Sequence, residues 1–252
     1  MNIALIGYGK MGREVEQVAV SKGHSIVARC DPALLRAGEA VVESPNLETA
    51  DVCVEFTSPS AVLQNIRNIA QMKKPLVVGT TGWYEHLVEA DAVIAENGTG
   101  LVYAPNFSLG VNLFYRLVER AAELFNHFED YDVFGSETHH RQKVDSPSGT
   151  AKKLSEIVLK KFTRKKKVIM EPLNRAIRPD EFHLVSGRSG HFPGVHSLTF
   201  DSAADTIELT HSVRSRSGFA LGALLAAEWI RSRQGFYSFE QVLQDLLSAE
   251  GK

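Results

Sequence analysis

Asn2-Ile-Ala-Leu-Ile-Gly7-Tyr8-Gly9-Lys10-Met11-Gly12 is a short apolar run that ends in glycine, and Val15, Val18 and Ala19 follow it at helical spacing. The order is strand, GxGxxG, helix. Gly7 allows a tight turn, Gly9 lets the backbone approach a pyrophosphate, and Gly12 lets the helix pack closely with its N-terminus facing the phosphates. The glycines alone are a weak signal, since a glycine-rich turn can merely pack. A second apolar run, Ser25 to Cys30, ends in Asp31, about 20 residues after the glycines, where an acid can bind an adenosine ribose. The stretch therefore predicts a dinucleotide site.

Alternation continues outward from it. Ala50 to Phe56 reads as a strand, Pro59 to Met72 as a helix, Pro75 to Gly79 as a strand, Tyr84 to Glu96 as a helix and Gly100 to Ala104 as a strand. This series implies a Rossmann-type α/β domain, a doubly wound parallel sheet with helices on both faces. In such a sheet ligands sit at the carboxyl ends of the strands. Three small turns share that edge: Thr57-Ser-Pro-Ser60, Gly79-Thr80-Thr81-Gly82 and Ala104-Pro105-Asn106-Phe107. They are expected to contact ribose and nicotinamide.

After Phe107 the texture changes. Leu109 to Phe128 is a long amphipathic helix, Tyr131 to His139 an alternating strand and Ala151 to Lys161 a helix. The basic run Arg164-Lys-Lys-Lys167 has no aromatic companions, so it reads as a solvated turn rather than a nucleic-acid patch. Beyond the loop Gly187 to Gly194, the runs Val195 to Phe200 and Thr206 to Val213 read as an antiparallel hairpin. Gly218 to Ile230 is so apolar that it must be buried, and it is expected to return to the first domain together with the helix Phe239 to Leu247. The predicted organisation is a dinucleotide domain, 1–106 rejoined by 218–252, and an α+β substrate and oligomerisation domain, 107–217.

Composition narrows the partners. The 252 residues carry a formal net charge of −2 and a pI near 6.5, which gives no global field for nucleic acid or membrane, so the partner is expected to be small. The apolar run Phe219 to Ile230 contains Glu228 and is too short to span a bilayer, and Met1-Asn-Ile-Ala lacks a basic leader. A cytoplasmic protein is expected. The two cysteines, Cys30 and Cys53, lie in apolar runs without CxxC spacing and read as core residues.

The densest chemistry is Glu137-Thr-His139-His140-Arg-Gln-Lys143-Val-Asp145-Ser-Pro147-Ser148-Gly149-Thr150-Ala151. A strand end delivers the histidines, and Ser148 or Thr150 would cap the next helix, leaving first-turn N–H groups beside Lys143. That combination is a receptor for a carboxylate or phosphate. A metal is not expected, because neighbouring side chains on a strand point to opposite faces and no third ligand stands at a suitable spacing.

This stretch resembles the signature of the dihydrodipicolinate reductase family. The likeness covers nearly the whole chain, through Gly7-x-Gly9-Lys10-Met11-Gly12, Gly79-Thr-Thr-Gly82, Ala104-x-Asn106-Phe107-Ser108-x-Gly110-Val111-Asn112 and Arg216-x-x-Phe219-Ala220-x-Gly222-Ala223. The resemblance implies NADH- or NADPH-dependent reduction of 4-hydroxy-tetrahydrodipicolinate to tetrahydrodipicolinate, on the diaminopimelate route to lysine, by a homotetramer built through the second domain. It implies His139 as proton donor or acceptor, Lys143 as proton donor, and His140, Gly149 and Thr150 as contacts to a ring with two carboxylates. It further implies that Gly7, Tyr8, Gly9, Lys10, Met11, Gly12, Asp31, Gly79, Thr80, Thr81, Ala104, Pro105, Asn106 and Phe107 hold the cofactor.

The residues agree with that implication. Hydride delivered to an unsaturated ring carbon leaves a neighbouring atom needing a proton, which imidazole supplies well near neutral pH. Lys143 and the Ser148-to-Thr150 helix start would neutralise a substrate carboxylate. One departure matters: many members of the family carry a basic residue after the ribose acid, and here that place is Pro32. An acid without that cation favours NADH, although Lys10 or Arg13 could serve a 2′-phosphate, so use of both cofactors is expected with NADH at least as good. Other two-domain nicotinamide oxidoreductases of amino-acid metabolism commonly use a cysteine nucleophile or a lone lysine, and neither thiol here sits in a polar motif. A non-catalytic NAD(P)H sensor would have no need of His139 and Lys143.

Overall fold

Ile3, Ala4, Leu5 and Ile6 are all fully buried, which requires cover on both faces of their strand. A computed structural model of the chain supplies it, describing residues 1–31 and 47–249. In chain order the elements are β1 (Asn2–Ile6), α1 (Lys10–Ser21), β2 (Ser25–Cys30), β3 (Val52–Glu55), α2 (Pro59–Gln71), β4 (Leu76–Val78), α3 (Leu87–Asn97), β5 (Gly100–Tyr103) and α4 (Leu109–Asn126). There follow β6 (Asp132–His139), α5 (Gly149–Lys161), β7 (Lys167–Ile169), β8 (Glu181–Arg188), β9 (Val195–Asp201), β10 (Thr206–Ser212), α6 (Ser217–Ile230), β11 (Gly235–Ser238) and α7 (Phe239–Ala249). They fall into two units, Met1–Leu109 with Arg216–Lys252, and Gly110–Ser215.

The first unit is a six-stranded sheet in the order β11-β5-β4-β3-β1-β2, with every pairing parallel. Alternate residues of β1 face opposite sides. Ile3 and Leu5 pack with Val15 and Ala19 of α1 and with α6 and α7, whereas Ala4 and Ile6 pack with Val62, Ile66 and Ile69 of α2 and with α3. This is the doubly wound sheet expected, and the apolar helix α6 returns to it. Strand order reverses at β1, between β2 and β3, so the ligand crevice is expected beyond the carboxyl ends of β1 and β3.

The second unit holds a mixed sheet, β10-β9-β6-β8-β7. β9 and β10 form the expected antiparallel hairpin, β6 pairs antiparallel with β9, and β8 runs parallel to both β6 and β7. Its covered face, including Val133, Phe182, Leu184, Leu198 and Phe200, packs on Phe114, Val118 and Ala122 of α4 and on Ala151, Leu154 and Val158 of α5.

Only half of the basic run 164–167 is solvated: Lys166 and Lys167 are exposed, whereas Arg164 and Lys165 are engaged. Arg164 donates to the carbonyls of Phe125 at 3.4 Å, Phe128 at 2.9 Å, Glu129 at 2.7 Å and Tyr131 at 2.7 Å. These carbonyls belong to the last turn of α4 and to the connection that follows it, and two of them, Phe125 and Phe128, also accept backbone N–H groups. Lys165 is 2% exposed, with Nζ 2.5 Å from Asp132 Oδ1 and 3.0 Å from the Pro179 carbonyl. Cys30 and Cys53 are buried free thiols, pushed up to about 11 and about 12 by that burial. No helix among the described residues is long and apolar enough to cross a membrane.

Candidate functional site

In the first unit the turn after β1 is built around its glycines. Gly7 has φ +90°, and a Cβ there would lie 2.2 Å from the Phe56 carbonyl oxygen; one on Gly12 would lie 2.3 Å from the Gly7 carbonyl oxygen. A Cβ on Gly9 would meet nothing within 4 Å, so the backbone there is open. Gly9 is the N-cap of α1, and the first turn has neither a side-chain cap nor an acidic residue. Its N–H groups are left for an anion.

Beside it lies a cleft of about 420 Å³, where Gly9, Lys10 and Met11 of the loop meet Gly79, Thr80 and Thr81 after β4. Phe56, Thr57 and Pro59 complete the lining. The open backbone, the uncapped helix start and the cleft at the point of strand reversal together fit a dinucleotide. Asp31 braces the loop, its Oδ2 accepting the Tyr8 N–H at 2.6 Å. The Tyr8 hydroxyl and the Arg29 guanidinium both meet Glu16, and the guanidinium carbons of Arg13 and Arg29 lie 5.5 and 5.6 Å from the Tyr8 ring centroid. Pro32, on which the expected preference for NADH rests, lies outside the described residues.

The Ala104–Phe107 turn does not line the cleft. Ala104 and Phe107 are buried, the Phe107 ring lying 5.0 Å from that of Phe239 at a tilt of 53°, and Asn106 Oδ1 accepts the Ser108 N–H at 2.8 Å. Pro105 and Asn106 are its accessible residues. Sequence reasoning also missed Glu55, a fully buried carboxyl that accepts from the Thr57 hydroxyl and, at 3.4 Å, from Asn65 Nδ2. Burial pushes its pKa up, against the hydrogen bonds from Thr57, Thr80 and Asn65. Thr57 N–H in turn donates to Thr80 Oγ1 at 2.8 Å, so Glu55 underlies two cleft residues.

In the second unit, Glu137 and His139 stand two residues apart on β6 and so share a face; they are 2% and 6% exposed. Glu137 Oε1 accepts from the Ser148 N–H at 3.0 Å, Ser186 Oγ at 2.8 Å and Arg188 Nη2 at 3.2 Å. Its Oε2 faces His139 Nδ1 at 3.2 Å and His196 Nε2 at 3.5 Å. Burial opposes charge on Glu137, but donors from His196, Ser148 and Ser186 outweigh it and hold the carboxyl well below the usual range. Burial also pushes the His139 imidazole down to about 4; Glu137 opposes that fall, and His196, Lys143 and Arg188 add to it.

Ser148 is the N-cap of α5, its Oγ accepting the Ala151 N–H at 3.2 Å. The first-turn N–H groups of Gly149 and Thr150 have no intrahelical partner, and a Cβ on Gly149 would meet nothing within 4 Å. Lys143 is not a free ammonium, since Nζ donates to Asp145 Oδ1 at 2.7 Å. His140 sits in the turn after β6, its carbonyl accepting the Lys143 N–H at 3.1 Å. A third donor does accompany His139, contrary to expectation. Donor atoms of Glu137, His139 and His196 lie within 4.8 Å of one another, with the second imidazole supplied by β9 rather than by His140. Arg188 on the same carboxylate works against a dication there.

Comparison with known proteins follows the same division. Residues 1–107 match the family described as dihydrodipicolinate reductase, N-terminus, and residues 110–243 its C-terminus counterpart. The 4-hydroxy-tetrahydrodipicolinate reductase of Christiangramia forsetii is 37% identical over 248 residues, covering 98% of this chain and 99% of that one. The protein of the same name from Archaeoglobus fulgidus is 35% identical, covering 97% and 100%. A dipicolinate-bound dihydrodipicolinate reductase from Paenisporosarcina sp. TG-14 has the same fold, with a TM-score of 0.73 at 24% identity over 96% of this chain and 98% of that one.

Proposed function

The chain belongs to the dihydrodipicolinate reductase family, and from that premise we propose that it reduces 4-hydroxy-tetrahydrodipicolinate to tetrahydrodipicolinate with NADH or NADPH. The observation that carries this reading is the junction of β6 and α5, where an imidazole and the N-cap residue of α5 share one carboxylate. The nicotinamide, when bound, supplies the hydride. The glycine loop Gly7 to Gly12 and Gly79 to Thr81 hold the dinucleotide, with Pro105 and Asn106 as the accessible part of the third turn. The Gly149 and Thr150 N–H groups, with His140 and Lys143, bind a ring carboxylate. Lys143 reaches it by exchanging its Asp145 partner for the substrate. His139 handles the proton through Nε2, since Nδ1 faces Glu137.

We also read the protein as a cytoplasmic homotetramer assembled through its second unit. Phe134 and Val185, each 41% exposed on the sheet face turned away from α4 and α5, support that reading. The test is oxidation of NADH and of NADPH, measured separately, with freshly made product of the preceding synthase. Turnover with both, NADH at least as good, is expected. Cofactor binding without turnover would overturn the reading in favour of a sensor.

A further inference from the structure

We propose that Glu137 is a positioning residue whose two carboxylate oxygens hold His139 in the Nδ1–H form and anchor the start of α5, so that one charge sets both the proton-handling group and the anion receptor. The inference deepens the reductase reading and rests on it only for its kinetic consequence.

The two oxygens have separate work. Oε1 takes three donors, from Ser148, Ser186 and Arg188. Oε2 has none but the two imidazoles within reach. Oε2 and His139 Nδ1 are both buried and have no hydrogen-bond partner elsewhere, and an ionised carboxylate only accepts, so the Nδ1–H form is the tautomer that offers it a donor and leaves Nε2 to exchange a proton. On that side Gly194 keeps the ring clear, since a Cβ there would stand 3.0 Å from Nε2. Arg188 extends the linkage, donating also to the Asp145 carbonyl at 2.6 Å, beside the partner of Lys143.

Glu137→Gln separates this role from mere packing. With three donors on Oε1, the amide oxygen must take that place, and the NH₂ then points at His139 Nδ1. The variant should therefore switch His139 to the Nε2–H tautomer. Long-range ¹H–¹⁵N correlation of the imidazoles at pH 7 is expected to show Nδ1–H in the parent protein and Nε2–H in Glu137→Gln, with kcat lowered at least about tenfold and the KM for NADH unchanged. Nε2–H in the parent would overturn the proposal, and that measurement stands even if the variant does not fold. A lowered kcat with an unchanged tautomer would overturn it too, leaving Glu137 a packing residue. So would zinc raising the melting temperature of the parent but not of His196→Gln, because a metal would then occupy the space between Oε2 and the rings. An inactive parent protein with the expected tautomer would sink the reductase reading and leave this one intact.

Discussion

Gly7 and Gly9 stand two residues apart and do opposite work. At Gly7 a methyl group would meet the Phe56 carbonyl at 2.2 Å on a backbone with φ +90°, so Gly7→Ala should cost on the order of 3 kcal/mol of stability. At Gly9 the same methyl meets nothing. Gly9→Ala is expected to keep stability within about 0.5 kcal/mol while weakening NADH binding roughly tenfold or more, about 1.4 kcal/mol. Urea denaturation and a fluorescence titration would check both, and equal losses of stability would refute the division. For the proton, His139→Gln should lower kcat about 10²-fold with NADH binding intact; turnover within a few-fold of the parent would make it a structural histidine. These residues were legible because a short motif fixes their spacing. The part played by Glu137 was not: Ser186 and Arg188 come from 49 and 51 residues away, on a strand the sequence did not announce.

Three strands, β7, β8 and β11, escaped sequence reading; β8 is eight residues long, but its burial does not alternate regularly. β7 has three residues, and β11 has no residue classed as buried, so neither shows the alternation that marked β9 and β10. Charge misled in the other direction. Four cationic residues in a row suggest a solvated turn, but Arg164 ties down the connection between α4 and β6 by donating to four backbone carbonyls along it. Its fork donates to Glu129 and Tyr131 through different nitrogens, which a single ammonium cannot copy at the same geometry. Arg164→Ala should lower stability by about 2 kcal/mol, and Arg164→Lys should recover only part of it, read as urea midpoints. Full recovery by lysine would show that charge alone matters there. The long elements α1, α2 and α4 were legible for the converse reason, an apolar periodicity that extends over several turns, and α6 because it is apolar almost throughout.

At the scale of the molecule, the buried titratable groups of the two units are expected to respond to acid differently. In the second unit the His139 imidazole is held near 4 by burial, against an ordinary value near 6.5. As pH falls below about 6.5 the unfolded chain takes up that proton first, so stability present above that pH is lost as pH falls toward 4. Burial pushes His211 down as well. Glu137 and Glu181, the latter held down to about 2 by Arg175, continue the loss below the ordinary carboxylate range. In the first unit burial pushes Glu55 up, so its contribution is complete at low pH and is lost as pH rises through the folded value. Glu16, lowered chiefly by its Arg29 partner, is the counter-example there. Acid should therefore open the second unit before the first. Both tryptophans, Trp83 and Trp229, belong to the first unit, so their fluorescence reports it alone. Between pH 6.5 and 4, hydrogen exchange in β6, β8 and β9 should accelerate while tryptophan emission holds, and His139→Asn should flatten the early part of that loss. A single coincident transition by both probes would mean that the units unfold as one, and the opposing carboxylates would then have no separate expression.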